Sequence, residues 1–321
     1  MMRLPKALTH DSRVAIVAPS SPTSAKKIDD AAAAIRSMGF EPVVYPSCTG
    51  STPERGYLAA ESDAVKVRDI HDAFSDPSVG GILCMRGGSG AGRLIRHLDA
   101  ALIAANPKVF VGYSDITILH SFIARNCRFV TFHGPMATTD DLADAGSPTR
   151  GAFLRAVTDP APLGRVQNPD GKPLACLFPG AARGPLVGGN LAVMCTTIGT
   201  IAEIDTAGRI VLIEEIGEEP YSVDRMLNHL INAGKLTDAA GIVLGSFTEC
   251  DPPERHPART TDVVFRDVLV PLGIPILSGL DAGHDRTNLT LPLGALVRID
   301  AARGEIFFEE PALCEKNFSK G

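Results

Sequence analysis

A chain of 321 residues that is 45% hydrophobic and 21% charged has the make-up of an ordinary soluble protein, which excludes disordered and fibrous classes; its length makes two domains the default. The formal net charge of −6 excludes a general nucleic-acid binder. Seven widely spaced cysteines (Cys48, Cys84, Cys127, Cys176, Cys195, Cys250 and Cys314) contain no C-x-x-C pair, so they give no zinc framework and read as free thiols in a reducing compartment.

The N-terminus has no apolar signal region and no later run approaches a membrane span, so a cytoplasmic protein without a membrane partner is expected. Val14-Ala-Ile-Val-Ala18 is a continuous apolar run closed by Pro19-Ser-Ser-Pro22, the pattern of a buried parallel strand followed by a loop. Ser24 is placed to cap a helix whose inward face carries Ile28, Ala31, Ala32, Ile35 and Met38 before Gly39 stops it. A short strand at Pro42-Val-Val-Tyr45, an amphipathic helix over 63–74 and a strand at Gly81-Ile-Leu-Cys-Met85 follow, and then the loop Arg86-Gly-Gly-Ser-Gly-Ala-Gly-Arg93. Val109-Phe-Val is a further short strand. The apolar positions Ile116, Ile118, Leu119, Phe122 and Ile123 then recur at helical spacing, and Arg128-Phe-Val-Thr-Phe132 closes the series.

Strands alternating with helices over roughly the first 135 residues imply a doubly wound α/β domain. Ligands of such sheets collect beyond the carboxyl ends of the strands, where the Ser20, Gly87 and Ser114 loops should share one rim. Residues 160–173 have the composition of an interdomain connector. A smaller, mixed α and β unit follows. In it Pro185-Leu-Val-Gly-Gly-Asn190 leads into a helix, Ile210-Val-Leu-Ile213 and Gly241-Ile-Val-Leu-Gly245 are strands, 222–233 is a helix, and short β segments lie near Thr290, Leu296 and Ile306. The domains expected are 1–160 and 175–321.

Ser114 falls in the tight turn between a strand end and a helix start, where a nucleophile is exposed and the first helical N–H groups face a developing negative charge. Gly-Tyr-Ser-Asp-Ile lacks the second glycine of the G-x-S-x-G elbow, and the plainer reading is a helix N-cap. Glu214 follows a buried strand, where a carboxylate is costly unless paired, although it could also face solvent with Glu215. His284 lies in the polar turn Asp281-Ala-Gly-His-Asp-Arg-Thr-Asn288. Together these three supply a nucleophile, an orienting acid and a base in the order Ser…Glu…His, which is permissible because such triads are defined by geometry.

The pieces Val17-Ala-Pro-Ser20, Gly56-Tyr-Leu-Ala59, Cys84-Met-Arg-Gly-Gly-Ser-Gly90, Gly112-Tyr-Ser-Asp-Ile-Thr117, His133-Gly-Pro135, Gly188-Gly-Asn-Leu191, Leu212-Ile-Glu-Glu215, 221–227 and Gly283-His284 occur in this order over nearly the whole chain. In these the sequence resembles the LD-carboxypeptidase group of serine peptidases, which includes muramoyltetrapeptide carboxypeptidases and microcin C self-immunity peptidases. The resemblance implies a Rossmann-like N-terminal domain, a mixed α/β C-terminal domain and a homodimer. It places the catalytic serine on Ser114, the acid on Glu214 in preference to Glu215, the histidine on His284, and the oxyanion donors on the N–H groups of Gly88 and Asp115. Each such donor is typically worth ~3 kcal/mol of barrier. Where the family pattern has an aromatic residue, this chain has Ser89. The implied reaction is acyl transfer through an acyl-enzyme, with no metal and no cofactor, and the implied substrate is a muropeptide tetrapeptide that loses its terminal D-Ala.

Other readings of the same residues are a microcin-type aminoacyl-nucleotide amidase and a two-domain binding protein that performs no chemistry. The nucleotide branch needs stacking surfaces, and the chain has no Trp and only four Tyr. The glycine-rich loop fails both the dinucleotide and the P-loop spacing. Arg86 is the candidate for binding a substrate carboxylate, with a structural ion pair as its alternative.

Overall fold

In the computed structural model, which describes residues 2–49, 56–58, 61–251 and 259–315, the apolar runs near the N-terminus become a parallel sheet. Ala59 of the Gly56-Tyr-Leu-Ala59 piece lies outside the described residues, as do parts of both expected domain ranges. Strand β1 (Arg13–Val17) leads to helix α1 (Ala25–Ser37), capped by Ser24, whose hydroxyl accepts from Lys27 N. Strand β2 (Glu41–Val44), helices α2 (Pro46–Thr49) and α3 (Asp63–Ser75), and strand β3 (Val79–Cys84) follow. Next come α4 (Ala100–Ala105), β4 (Val109–Gly112), α5 (Thr117–Phe122), β5 (Thr131–His133) and α6 (Pro148–Thr158).

The second half contributes β6 (Gly164–Val166), β7 (Ala175–Phe178), β8 (Ala181–Asn190), α7 (Leu191–Thr197), β9 (Ile210–Ile216), α8 (Pro220–Asn232) and β10 (Gly241–Thr248). It ends with α9 (Thr261–Val268), β11 (Ile276–Ser278), β12 (Leu291–Leu293), β13 (Leu296–Asp300) and β14 (Glu305–Phe308).

The first sheet runs β12-β5-β4-β3-β1-β2, parallel from β5 to β2, with β12 antiparallel on the edge. Strand order reverses between β1 and β3. Loops leaving these two strands diverge, and the crevice they leave is where a doubly wound sheet binds ligands. The second sheet runs β6-β14-β13-β8-β9-β10-β11-β7, with a parallel centre of β8 to β11 and antiparallel strands on both sides.

Two features depart from the sequence reading. Part of the expected connector is β6, which pairs antiparallel with β14 and closes one edge of the second sheet. The segment 291–293 returns to the first sheet, pairing Leu291 with His133. One apolar cluster joins the sheets, running from Val14, Val111 and Phe132 to Leu212, Val243 and Val297. This shared core fixes the carboxyl end of β4 relative to that of β9. Among the described residues no helix is long and apolar enough to cross a membrane.

Candidate active site

Strand β4 is pinned at its last residue. Gly112 O accepts from Gly134 N (3.2 Å) and from His120 Nε2 (2.9 Å), while His120 Nδ1 lies 2.9 Å from Thr131 Oγ1. Burial pushes the His120 imidazole down to about 4, so the ring is neutral and can donate on one side and accept on the other. The chain then bends sharply. Ser114 has φ +61°, a left-handed conformation that a side chain adopts at a cost of about 1–2 kcal/mol. It opens a tight turn over Ser114–Ile116, and neither that turn nor α5 receives a side-chain cap. The helix-cap reading of Ser114 is therefore not what the structure contains.

Strand β9 delivers Glu214, fully buried, to the same rim. Its Oε2 lies 2.7 Å from His284 Nδ1. The His284 turn is set by Gly283, whose N–H donates to Asn288 Oδ1 (3.1 Å), and the Tyr113 ring lies 4.7 Å from the imidazole. Burial, reinforced by the charge on Glu214, pushes the Tyr113 phenol up to about 12. Glu215 faces elsewhere: Asn190 Nδ2 (2.7 Å), Ala192 N (2.8 Å) and Ile216 N (2.8 Å) all donate to it, so it closes the start of α7. Of the two adjacent acids, Glu214 alone bonds the histidine.

The glycine-rich loop closes the third side. A Cβ added to Gly87 would lie 2.9 Å from both Cβ and Oγ of Ser114, so the loop backbone rests directly on the serine. Gly88 follows with φ +107°, over Ser21. Ser21 is bound to the loop at both ends: its N–H donates to Gly87 O (3.3 Å), and its hydroxyl accepts from Ser89 N (3.0 Å). Arg86 is exposed on this rim, with Nη1 donating to Pro22 O (3.2 Å).

The structure thus brings Ser114, Gly88, Asp115, Glu214 and His284 to one rim, with Arg86 at its edge. No hydrogen bond joins Ser114 Oγ to His284 among the described residues. Two more side chains shape this rim without a strong signal in the sequence: Tyr113, beside the serine and against the His284 ring, and Lys66, which reads as one more charge on an amphipathic helix but is wholly buried. Among the described residues no group of three His, Cys, Asp or Glu side chains is arranged to hold a metal ion.

Residues 14–134 match the LD-carboxypeptidase N-terminal domain and residues 183–299 the LD-carboxypeptidase C-terminal domain. The chain is also 39% identical over 317 residues to a Bacillus subtilis (strain 168) protein named probable murein peptide carboxypeptidase, covering 99% of this chain and 96% of that one. The chain belongs to the LD-carboxypeptidase family. A solved structure, that of the muramoyltetrapeptide carboxypeptidase from Oxalobacter formigenes, superposes with a TM-score of 0.79 at 29% identity, over 93% of this chain and 99% of that one. The microcin C7 self-immunity protein MccF superposes with a TM-score of 0.88 over 97% of this chain and all of its own; at 22% identity it shares the fold. An LD-carboxypeptidase of this family is a serine-type hydrolase.

Proposed function

We propose that this LD-carboxypeptidase cleaves the bond between the L-centre of a diamino acid and terminal D-Ala in a murein tetrapeptide. The observation that carries the reading is the buried Glu214–His284 hydrogen bond on the rim that also presents a left-handed Ser114. Ser114 Oγ attacks the scissile carbonyl and its proton passes to His284 Nε2, while Glu214 holds the ring and stabilises its cation. The carbonyl oxygen, now negative, is met by the N–H groups of Gly88 and Asp115. The C–N bond breaks as His284 protonates the leaving D-Ala nitrogen. Water, deprotonated by the same imidazole, then releases the peptide from Ser114. Hydrogen bonds of this kind commonly tighten only in the complex, which accommodates the absence of a direct Ser114–His284 bond.

Arg86 binds the terminal carboxylate in this reading; among the described residues its exposed guanidinium is tethered through Nη1 to Pro22 O. The nucleophile belongs to a 1–160 domain, the acid and histidine to a 175–321 domain, and the protein works in the cytoplasm as a homodimer. Neither a metal nor a cofactor takes part.

The test is mass-resolved hydrolysis of L-Ala-γ-D-Glu-meso-diaminopimelyl-D-Ala, with Ser114→Ala as control. Release of D-Ala by the wild type and not by the variant supports the reading, and release by both removes Ser114 as nucleophile. No release by either moves the substrate to aminoacyl nucleotides.

A further inference from the structure

We propose that Lys66, Ser20 and the Asp115 carboxylate form a buried clamp that sets the spacing between the Gly88 and Asp115 N–H groups. The inference rests on the serine-peptidase reading of the site, and it adds three positioning groups that do not touch the substrate.

Lys66 projects from α3 and is wholly buried, an expensive place for an ammonium unless it is used. Its Nζ donates to Ser20 O (3.3 Å), and a Cβ added to Gly90 would come within 3.3 Å of it, so the loops after β1 and β3 both pass over the ammonium. Ser20 Oγ donates to Asp115 Oδ2 (2.6 Å), and the same oxygen accepts from Ala91 N (2.9 Å). One carboxylate oxygen therefore ties the loop after β1 and the end of the glycine-rich loop to the residue that follows Ser114.

The second half of the clamp runs through Ser21. Its bonds to Gly87 O and Ser89 N bracket Gly88, so a shift of the Ser20–Ser21 backbone moves the Gly88 N–H with it. Both proposed donors thus trace back to the Ser20 backbone and hydroxyl, and Lys66 holds that backbone. Such donors stabilise charge only when they are fixed in advance at the place where the oxyanion forms.

The experiment compares Ser20→Ala and Lys66→Met with the wild type in three readouts: kcat and KM for D-Ala release from the tetrapeptide, the rate at which a fluorophosphonate phosphonylates Ser114, and the melting temperature. A displaced reacting geometry costs up to about a hundredfold in rate; we expect about tenfold loss of kcat in Ser20→Ala and about a hundredfold in Lys66→Met, with KM within twofold. Phosphonylation falls by similar factors, because the phosphonyl oxygen uses the same donors. Wild-type kcat and phosphonylation rates in a folded Ser20→Ala variant overturn the clamp, even where Lys66→Met fails to fold. So does a loss of activity that only tracks the fall in melting temperature. A wild type that phosphonylates but releases no D-Ala overturns the substrate assignment and leaves the clamp to be judged on phosphonylation. A wild type inert to the reagent overturns both.

Discussion

His284 Nδ1 lies 2.7 Å from Glu214 Oε2, and the other oxygen of that buried carboxylate has no hydrogen-bond partner among the described residues. Glu214 is thus held in place by its bond to His284, whereas among the described residues its neighbour Glu215 accepts from Asn190, Ala192 and Ile216 and from no histidine. The two acids should separate cleanly in kinetics. Glu214→Gln is expected to lower kcat by about 10³-fold or more, since an amide cannot favour the imidazolium, while Glu215→Gln keeps kcat within about tenfold and lowers stability by about 1–3 kcal/mol. Steady-state kinetics with urea titration of both variants checks this. A larger kcat loss in Glu215→Gln would reverse the assignment.

The close approach of Gly87 gives a second prediction. Its missing Cβ would fall 2.9 Å from Ser114 Oγ, the proposed nucleophile. Gly87→Ala is expected to fold and to lower kcat about a hundredfold, because a displaced nucleophile loses its attack geometry. Circular dichroism and phosphonylation rate measure the two parts separately. A fully reactive serine in Gly87→Ala would show that the loop can retreat.

Much of this was legible in the sequence, and the illegible parts share a cause. The elbow could be read because Val109-Phe-Val is a purely apolar run and the next apolar positions are helical, so local pattern and tertiary role agree. The stretch 181–190 could not, because its glycines and proline argue against a strand. Yet β8 needs Gly188, with φ +115°: a Cβ there would lie 2.0 Å from Leu212 O on the neighbouring strand. The return of Leu291 to His133 leaves no local trace, since three residues on a sheet edge carry no period. Lys66 and Asp69 read as two more charges on an amphipathic helix and are buried, because they bond backbone groups distant in sequence, Ser20 O in the loop after β1 and Ser47 N in α2.

A third prediction concerns acid stability. Burial lowers His133 to about 3 and His120 to about 4, both from 6.5, so the unfolded chain binds their protons first as pH falls. Their contribution is full above pH 6.5 and is lost as pH falls toward 4 for His120 and toward 3 for His133. Both His133 ring nitrogens also lack hydrogen-bond partners among the described residues, so the group bears a desolvation cost that an apolar residue does not. His133→Leu is expected to flatten the dependence of unfolding free energy on pH between 6.5 and 4. Urea titrations across that window decide it, and an unchanged slope would mean that His133 does not remain neutral in the fold.

The last prediction separates chemistry from backbone strain at one position. Ser114 adopts φ +61° with a side chain attached, a conformation that glycine enters without penalty. Both Ser114→Ala and Ser114→Gly remove the proposed nucleophile, so neither is expected to release D-Ala. Alanine keeps the Cβ and its strain, whereas glycine relieves the strain and also loosens the unfolded chain, which opposes the gain. Relief of about 1–2 kcal/mol exceeds the entropic loss of about 0.4–1 kcal/mol, so Ser114→Gly should unfold at higher urea than Ser114→Ala. The opposite order would mean that the turn relaxes once the hydroxyl is gone, and that the left-handed Ser114 is held by its side chain and not by the pinned end of β4.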